Sequence, residues 1–223
     1  KDINTEFIAV NSSFSPSKKL DYSAFLILTN SETEIQQNNS TQYVGLTDNI
    51  PDENTQNNTS QTSELGIGKF SLKFNPNVNN QVEYEVLGRV TNESQDQNYL
   101  SSVIGSIEQL DEAETFSINQ NLNYYYTLNE KNIFALEAQH QLKDEDPFYN
   151  ALLENNNNYQ TTAIGLGLDN SLPFYNIAQD KRVKSNQLDA KVDYWNILNK
   201  KSDLNLTLGT IYSKQDFDSE IFQ

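Results

Sequence analysis

The feature that most constrains this chain is a strict period of two. Eight segments alternate apolar and polar residues: 6–14, 20–28, 66–74, 82–90, 116–128, 134–142, 188–196 and 203–212. Two is the strand period, because successive side chains of an extended chain point to opposite faces. In residues 20–28 the even positions read Leu20, Tyr22, Ala24, Leu26 and Leu28. Near the C-terminal end Leu188, Ala190, Val192 and Tyr194 alternate with Asp189, Lys191 and Asp193. Charge makes the pattern quantitative. Within the segments odd positions carry Asp21, Lys69, Lys73, Glu83, Glu85, Arg89, Glu137, Asp189, Lys191, Asp193 and Asp203, whereas even positions carry only Glu6. All five prolines (Pro16, Pro51, Pro76, Pro147, Pro173) fall between segments, as strands that need their N–H groups require. An antiparallel all-β chain is expected, with one apolar face and one charged face.

Two architectures present such faces. A soluble β-sandwich turns the apolar face inward against a second sheet. A transmembrane barrel turns it outward to lipid and lines its lumen with the polar face. Connection lengths discriminate. Between the segments lie short turns at 15–19, 75–81, 129–133 and 197–202, alternating with long loops at 29–65, 91–115 and 143–187. Tight turns on one side and long loops on the other characterise outer-membrane barrels, whereas structureless loops beyond ~15 residues are uncommon in compact domains. A lipid band of ~25 Å crossed at a tilt takes ~10 residues, which each segment supplies. Aromatics at even positions (Phe14, Tyr22, Phe74, Tyr84, Tyr124, Tyr126, Phe134, Tyr194) gather near the short turns, where an interfacial girdle would lie.

Composition excludes other classes. With no Cys there is no disulfide framework, thiolate metal site or Cys nucleophile. A single His, His140, argues against His-rich metal sites and a Ser-His-Asp triad. A net charge of −16 opposes binding to nucleic-acid phosphates. The apolar run at 25–28 is far short of the ~20 residues of a membrane helix. The chain starts at Lys1 without a signal-peptide pattern, which reads as a mature chain or a piece of one.

Two stretches carry a family resemblance. Residues 116–149 (FSINQNLNYYYTLNEKNIFALEAQHQLKDEDPFY) and 185–223 (SNQLDAKVDYWNILNKKSDLNLTLGTIYSKQDFDSEIFQ) resemble the barrel of TonB-dependent receptors from Bacteroidota. The likeness is to the flavobacterial type whose N-terminus carries a carboxypeptidase-regulatory-like domain. The resemblance implies a barrel, usually 22-stranded, that encloses a plug and imports a nutrient too large for porins, with energy delivered through TonB. No plug, TonB box or regulatory-like domain is recognised within the 223 residues. Four short turns and three long loops would put both chain ends on the long-loop side. The expectation is therefore that 1–223 forms about eight meander strands from the interior of a larger transmembrane β-barrel.

The long loops hold most of the acid. Residues 29–65 and 91–115 each carry six acids and no base, and 143–187 carries six acids and four bases. The short turns are basic, with Lys18, Lys19, Lys131, Lys200 and Lys201 against Glu130. Acidic, Asn-rich loops read first as solvated surface, and second as a cation-attracting rim that bridges to lipopolysaccharide. No residue set qualifies as catalytic, cofactor-binding or metal-binding. Asp144-Glu145-Asp146 lacks the spaced acidic loop of a Ca²⁺ site. Glu83/Glu85 and Asp189/Asp193 read as lumen charges facing Lys73, Arg89 and Lys191 rather than as a glycosidase pair. His140 reads as an interfacial residue near the outer end of its strand. Gly165-Leu166-Gly167 lacks the third Gly and following helix of a nucleotide loop.

The functional expectation is non-enzymatic. It is part of an outer-membrane TonB-dependent transporter with its long loops extracellular, in contact with lipid, lipopolysaccharide, the remaining barrel and plug, TonB and a surface lipoprotein. A non-transporting accessory barrel and a secreted polysaccharide-binding sandwich are the alternatives.

Overall fold

The computed structural model describes residues 1–42, 51–154, 156–169 and 171–223. Eight strands follow one another as β1 (Asp2–Ser17), β2 (Leu20–Thr41), β3 (Glu53–Asn77), β4 (Asn80–Ser101), β5 (Gly105–Asn129), β6 (Asn132–Leu153), β7 (Tyr175–Asn199) and β8 (Ser202–Phe222), with helix α1 (Asn156–Gly165) between β6 and β7. They form one sheet in sequence order, every neighbour antiparallel. The chain is all-β in the form the alternation demands.

Register preserves the two faces across the whole sheet. Leu20 pairs with Phe74, Val82 with Tyr124, Leu136 with Val192 and Tyr194 with Leu206. Outside the hairpin tips, every pairing joins even to even and odd to odd. In β2 and β7 the exposed residues are mostly even and the half-buried ones mostly odd. A single-layer sheet shades the face toward which it curls, so the odd, charged face is concave. The even, apolar face is convex and open: Leu206 is 55% and Leu208 78% exposed. Helix α1 lies on the concave side, where Ala163 packs with Leu153 and Tyr175, flanked by Ile107, Leu168 and Ile177.

Four two-residue turns join the hairpins at one end. Their shared device is a side-chain oxygen at the last strand residue that accepts the N–H two positions on. Ser17 Oγ accepts from Lys19 N at 3.2 Å, Asn77 Oδ1 from Asn79 N at 3.0 Å, Asn129 Oδ1 from Lys131 N at 3.0 Å and Asn199 Oδ1 from Lys201 N at 2.9 Å. Such Asx and Ser turns reverse the chain without glycine. Each of the first three turns also hands on to the next hairpin. Asn75 N donates to Lys19 O at 2.7 Å, Thr127 N to Asn79 O at 2.8 Å and Ile197 N to Lys131 O at 2.8 Å. Each hairpin thus runs past its predecessor by a constant step, the stagger that tilts strands in a curved sheet.

The expected loops are corrected here. Most of 29–65, 91–115 and 143–187 is paired strand, and the connections shrink to 42–52, 102–104 and 154–174, the last containing α1. Part of 29–65, residues 43–50, lies outside the described residues. The expected turns 15–19, 75–81, 129–133 and 197–202 likewise narrow to two residues each. The physical reason is that the extensions are mostly polar, and their apolar residues Ile107, Leu153 and Ile177 pack locally at α1 instead of forming an alternating face. Gln61 pairs with Gln95, Asn58 with Asn98 and Gln109 with Ala151. Without a continuous apolar face they carry no sustained period-two signal, yet their backbone ladders continue, interrupted between β6 and β7 at Asp146 and Pro147. The 25 residues of β3 make a strand ~80 Å long at ~3.3 Å per residue.

Glu6, the one even-position charge, also finds its explanation. It opens a cross-strand row, Glu6–Asn30–Glu64–Asn92–Glu114, that closes the apolar band from β1 to β5, while in β6 the band already ends at Leu142, before Asp144. Glu6 marks a boundary rather than breaking the rule.

The turn device gives a test. Asn129 Oδ1 also accepts from Asn132 Nδ2 at 2.8 Å, so Asn129→Ala removes two hydrogen bonds at one tip. It is expected to lower unfolding stability in denaturant by ~1–2 kcal/mol at roughly 1 kcal/mol per bond. Val78→Ala, at a fully exposed tip residue, is expected to leave the midpoint unchanged.

Candidate functional site: the concave polar wall

Odd residues of β3 to β8 assemble a charged and carboxamide-rich wall on the concave face. Period two puts them there, and the register sets them opposite one another. Lys73 faces Glu83, Glu137 faces Lys191, and Gln139 faces Asp189. Lys73 Nζ lies 2.9 Å from Glu83 Oε1, and Lys69 Nζ 2.9 Å from Glu85 Oε1. Ser71 Oγ donates to the same Glu85 oxygen at 3.2 Å, and Gln81 Nε2 donates to Glu83 at 2.9 Å. Lys191 Nζ bridges two strands, 3.0 Å from Glu137 Oε2 and 3.6 Å from Asp193 Oδ2. Asp193 is 5% exposed and also receives the Thr207 hydroxyl.

The wall surrounds a hollow of about 890 Å³ whose lining includes Glu85, Asn121, Glu137, Gln139, Asp189 and Lys191. Gln187 Nε2 donates to Asp189 Oδ2 at 3.0 Å, while Asp189 Oδ1 is enclosed without a partner among the described residues. Glu83, Glu85 and Asp193 are held by lysines, so none is a free acid or base. Chemically the hollow offers amide and carboxylate acceptors, amide donors and one shared ammonium. That suits polar, uncharged or zwitterionic groups.

The residues considered from sequence fall as follows. Lys73 and Lys191 join the carboxylates as expected. Arg89 does not: its Nε donates to Thr91 Oγ1 at 3.1 Å. Lys69 is the cation that sequence reasoning passed over, although its odd position opposite Leu87 and beside Glu85 was readable. Asp144, Glu145 and Asp146 alternate faces along β6 and do not converge. Glu145 pairs with Lys143 at 2.6 Å, and Asp144 with Arg182 at 3.1 Å. His140 sits on the convex face between Gln120, 3.1 Å from Nδ1, and Asn186, 3.0 Å from Nε2, so both ring nitrogens are engaged. Gly165-Leu166-Gly167 ends α1. Leu168 N bonds Ala163 O at 2.9 Å and Gly167 N bonds Ile164 O at 3.1 Å, with Gly167 at φ 74°, a Schellman cap rather than a phosphate loop.

Beyond the apolar band, Arg182 clasps Asp144 with Nε at 3.3 Å and Nη2 at 3.1 Å. Hydrogen bonds from Arg182 hold the Asp144 carboxyl below the usual carboxylate range, with Lys184 adding to the effect.

No family model and no curated protein matches the chain. Solved structures with a similar arrangement include the ferric yersiniabactin uptake receptor FyuA from Yersinia pestis, at 7% identity over 98% of this chain and 34% of that one, with a TM-score of 0.31. The ferric citrate transporter FecA in its unliganded form gives 8% identity over 96% and 38%, with a TM-score of 0.34. BauA, the ferric preacinetobactin receptor from Acinetobacter baumannii, gives 8% over 96% and 42%, with a TM-score of 0.35. The chain spans 34 to 42% of the length of these receptors. Similarity at this level assigns no family.

Two outcomes test the wall and its outer margin. Lys191→Met strips the ammonium from nearly buried Asp193, with an expected loss of ~1–3 kcal/mol in denaturant unfolding. Lys73→Met, at a half-exposed pair, is expected to lose less than ~1 kcal/mol. Because the folded pKa of Asp144 is depressed, its pairing with Arg182 is intact above the ordinary carboxylate range and is lost as pH falls through the lowered value. Amide exchange where β6 meets β7 at Asp144 and Lys184 is expected to stay slow through that range and quicken below it, and Asp144→Asn is expected to abolish the dependence.

Proposed function

We propose that the chain builds part of the wall of an outer-membrane transporter of the TonB-dependent receptor type, in the Bacteroidota form whose barrel it resembles, importing a nutrient too large for porins. One observation carries this reading. Along the apolar band the open convex face is mainly apolar, while the ion pairs Lys69–Glu85, Lys73–Glu83 and Lys191–Glu137 occupy the concave face. A soluble sandwich needs the reverse, with its apolar face covered by a second layer. Lipid outside and water inside satisfy the observed arrangement.

The sheet edges extend the argument. Among the described residues strand β1 pairs only with β2 and β8 only with β7, and both are exposed throughout. Unpaired N–H and C=O groups do not persist in hydrocarbon, so in a bilayer both edges call for further strands. The partners this implies are the rest of the barrel, its plug, TonB, a surface lipoprotein, and lipopolysaccharide facing the acidic outer margin. The two-residue turns would lie in the periplasm and the strand extensions outside the cell. The reading gives the chain no catalytic role.

A non-transporting accessory barrel is the alternative, and energy coupling separates the two. Loss of the full-length protein and loss of TonB are expected to give the same uptake defect. An assembly defect that persists without TonB dependence would favour the accessory barrel.

The faces are tested directly. Single cysteines replacing Leu26, Leu136, Val192 or Leu206 in the full-length protein are expected to resist a water-soluble maleimide in intact membranes. Arginine at the most central of these sites is expected to cost ~2–4 kcal/mol. Efficient labelling, or a full-length protein soluble without detergent, would remove the membrane reading.

A further inference from the structure

Three glycines lie together on the convex face, and nothing within the chain requires them. Gly66 and Gly68 are in β3, Gly88 is in β4, and Gly68 pairs directly with Gly88. None has positive φ; among the described residues only Gly105 and Gly167 do. None is crowded. A Cβ on Gly66 would meet Leu28 Cδ2 at 3.5 Å, on Gly68 Phe25 O at 3.6 Å and Leu26 Cδ1 at 3.7 Å, and on Gly88 Gly68 O at 4.0 Å. Those are ordinary contacts. No aromatic ring atom comes within 4 Å of a Cβ placed at any of the three, so the close packing of a ring over a bare strand glycine is not the reason either. Glycine weakens a strand and gives up apolar surface, so three together on a lipid-facing wall point to something outside the chain that fits against them.

The space they leave is a groove of about 710 Å³. Ile8, Leu26 and Leu28 wall it on one side, and Val90, Phe116 and Ile118 on the other. One end is apolar. The other is closed by Glu6, Asn30 and Glu64, which pair in that order across β1, β2 and β3. This rim is rich in acceptors. Glu6 and Glu64 have no ion-pair partner among the described residues, and the contact to Glu64 from Asn92 Nδ2 is a long 3.4 Å. Asn30 Oδ1 is enclosed with no hydrogen-bond partner among the described residues. An apolar slot ending in unfilled acceptors asks for an occupant with a hydrocarbon tail and a cationic head that brings N–H donors.

We propose that this groove seats one membrane lipid, its acyl chain along Gly66, Gly68 and Gly88 and a primary ammonium of its headgroup against Glu6, Asn30 and Glu64. The inference rests on the outer-membrane reading, because the groove meets lipid only if the convex face does. Charge complementarity selects the head, and the apolar walls select the tail.

The test is native mass spectrometry of the full-length protein in mild detergent, titrated with phosphatidylethanolamine, phosphatidylcholine or phosphatidylglycerol. The wild type is expected to retain phosphatidylethanolamine over phosphatidylcholine, whose head has the charge but no N–H, and over phosphatidylglycerol. Gly68→Leu with Gly88→Leu fills the slot and is expected to lose all retained lipid. Glu6→Gln with Glu64→Gln leaves the slot open, so phosphatidylcholine binding is expected to persist while the preference for the ammonium lipid disappears. The glutamine pair keeps the test decisive should the leucines impair folding, which a heat-dependent gel shift reports. Equal retention by wild type and the glycine variant in its folded state, no headgroup preference in the wild type, or a co-purifying protein in place of lipid would overturn the inference while leaving the barrel intact. Solubility without detergent would instead remove the barrel reading beneath it.

Discussion

The constraint on which the rest depends is the backbone ladder. Seven antiparallel interfaces join β1 to β8, and outside the hairpin tips each keeps odd opposite odd and even opposite even. A one-residue slip at any interface would put Lys191 or Glu85 on the apolar face and Leu206 or Leu26 on the charged one. The side-chain oxygens of Ser17, Asn77, Asn129 and Asn199 fix the hairpins that set this register. Faces, charge network and groove all inherit their positions from it.

Stagger converts the ladder into a tilted, curved wall. The contacts from Asn75, Thr127 and Ile197 to the preceding turns repeat one offset three times, so each hairpin sits further along than the last. Curvature then distinguishes faces that a flat sheet would leave equivalent. On the concave side neighbouring side chains converge, which lets Lys191 reach both Glu137 and Asp193. On the convex side they diverge. Removing three β-carbons there opens a groove rather than a cavity within a core.

The aromatic residues show how much was legible in the sequence. Tyr126, Phe134 and Tyr194 occupy even positions in three segments, and their rings stack at 6.4 and 4.8 Å on adjacent strands near the turns. The hydroxyls of Tyr124 and Tyr194 donate to Asn80 and Asn132, each at 2.6 Å, beside two of those turns. Parity and position predicted the cluster; the asparagine partners needed the register. The polar extensions of β2 to β7 were illegible for the opposite reason. Apart from the patch at α1, their stability lies in backbone pairing, which leaves no mark on side-chain pattern where both faces meet water.

The sequence by itself determined the strand number, the partition of residues between two faces, and the reversal points, because period two and turn chemistry are local properties. It also determined that Lys73 and Lys191 share a face with Glu83 and Asp193. Only the tertiary structure decided where the strands stop, that α1 covers the concave side, that Lys69 rather than Arg89 neutralises Glu85, and that Gly68 meets Gly88. Those facts depend on which residues of distant strands stand opposite each other. Register is set by the sum of all the ladders, and no local segment encodes it.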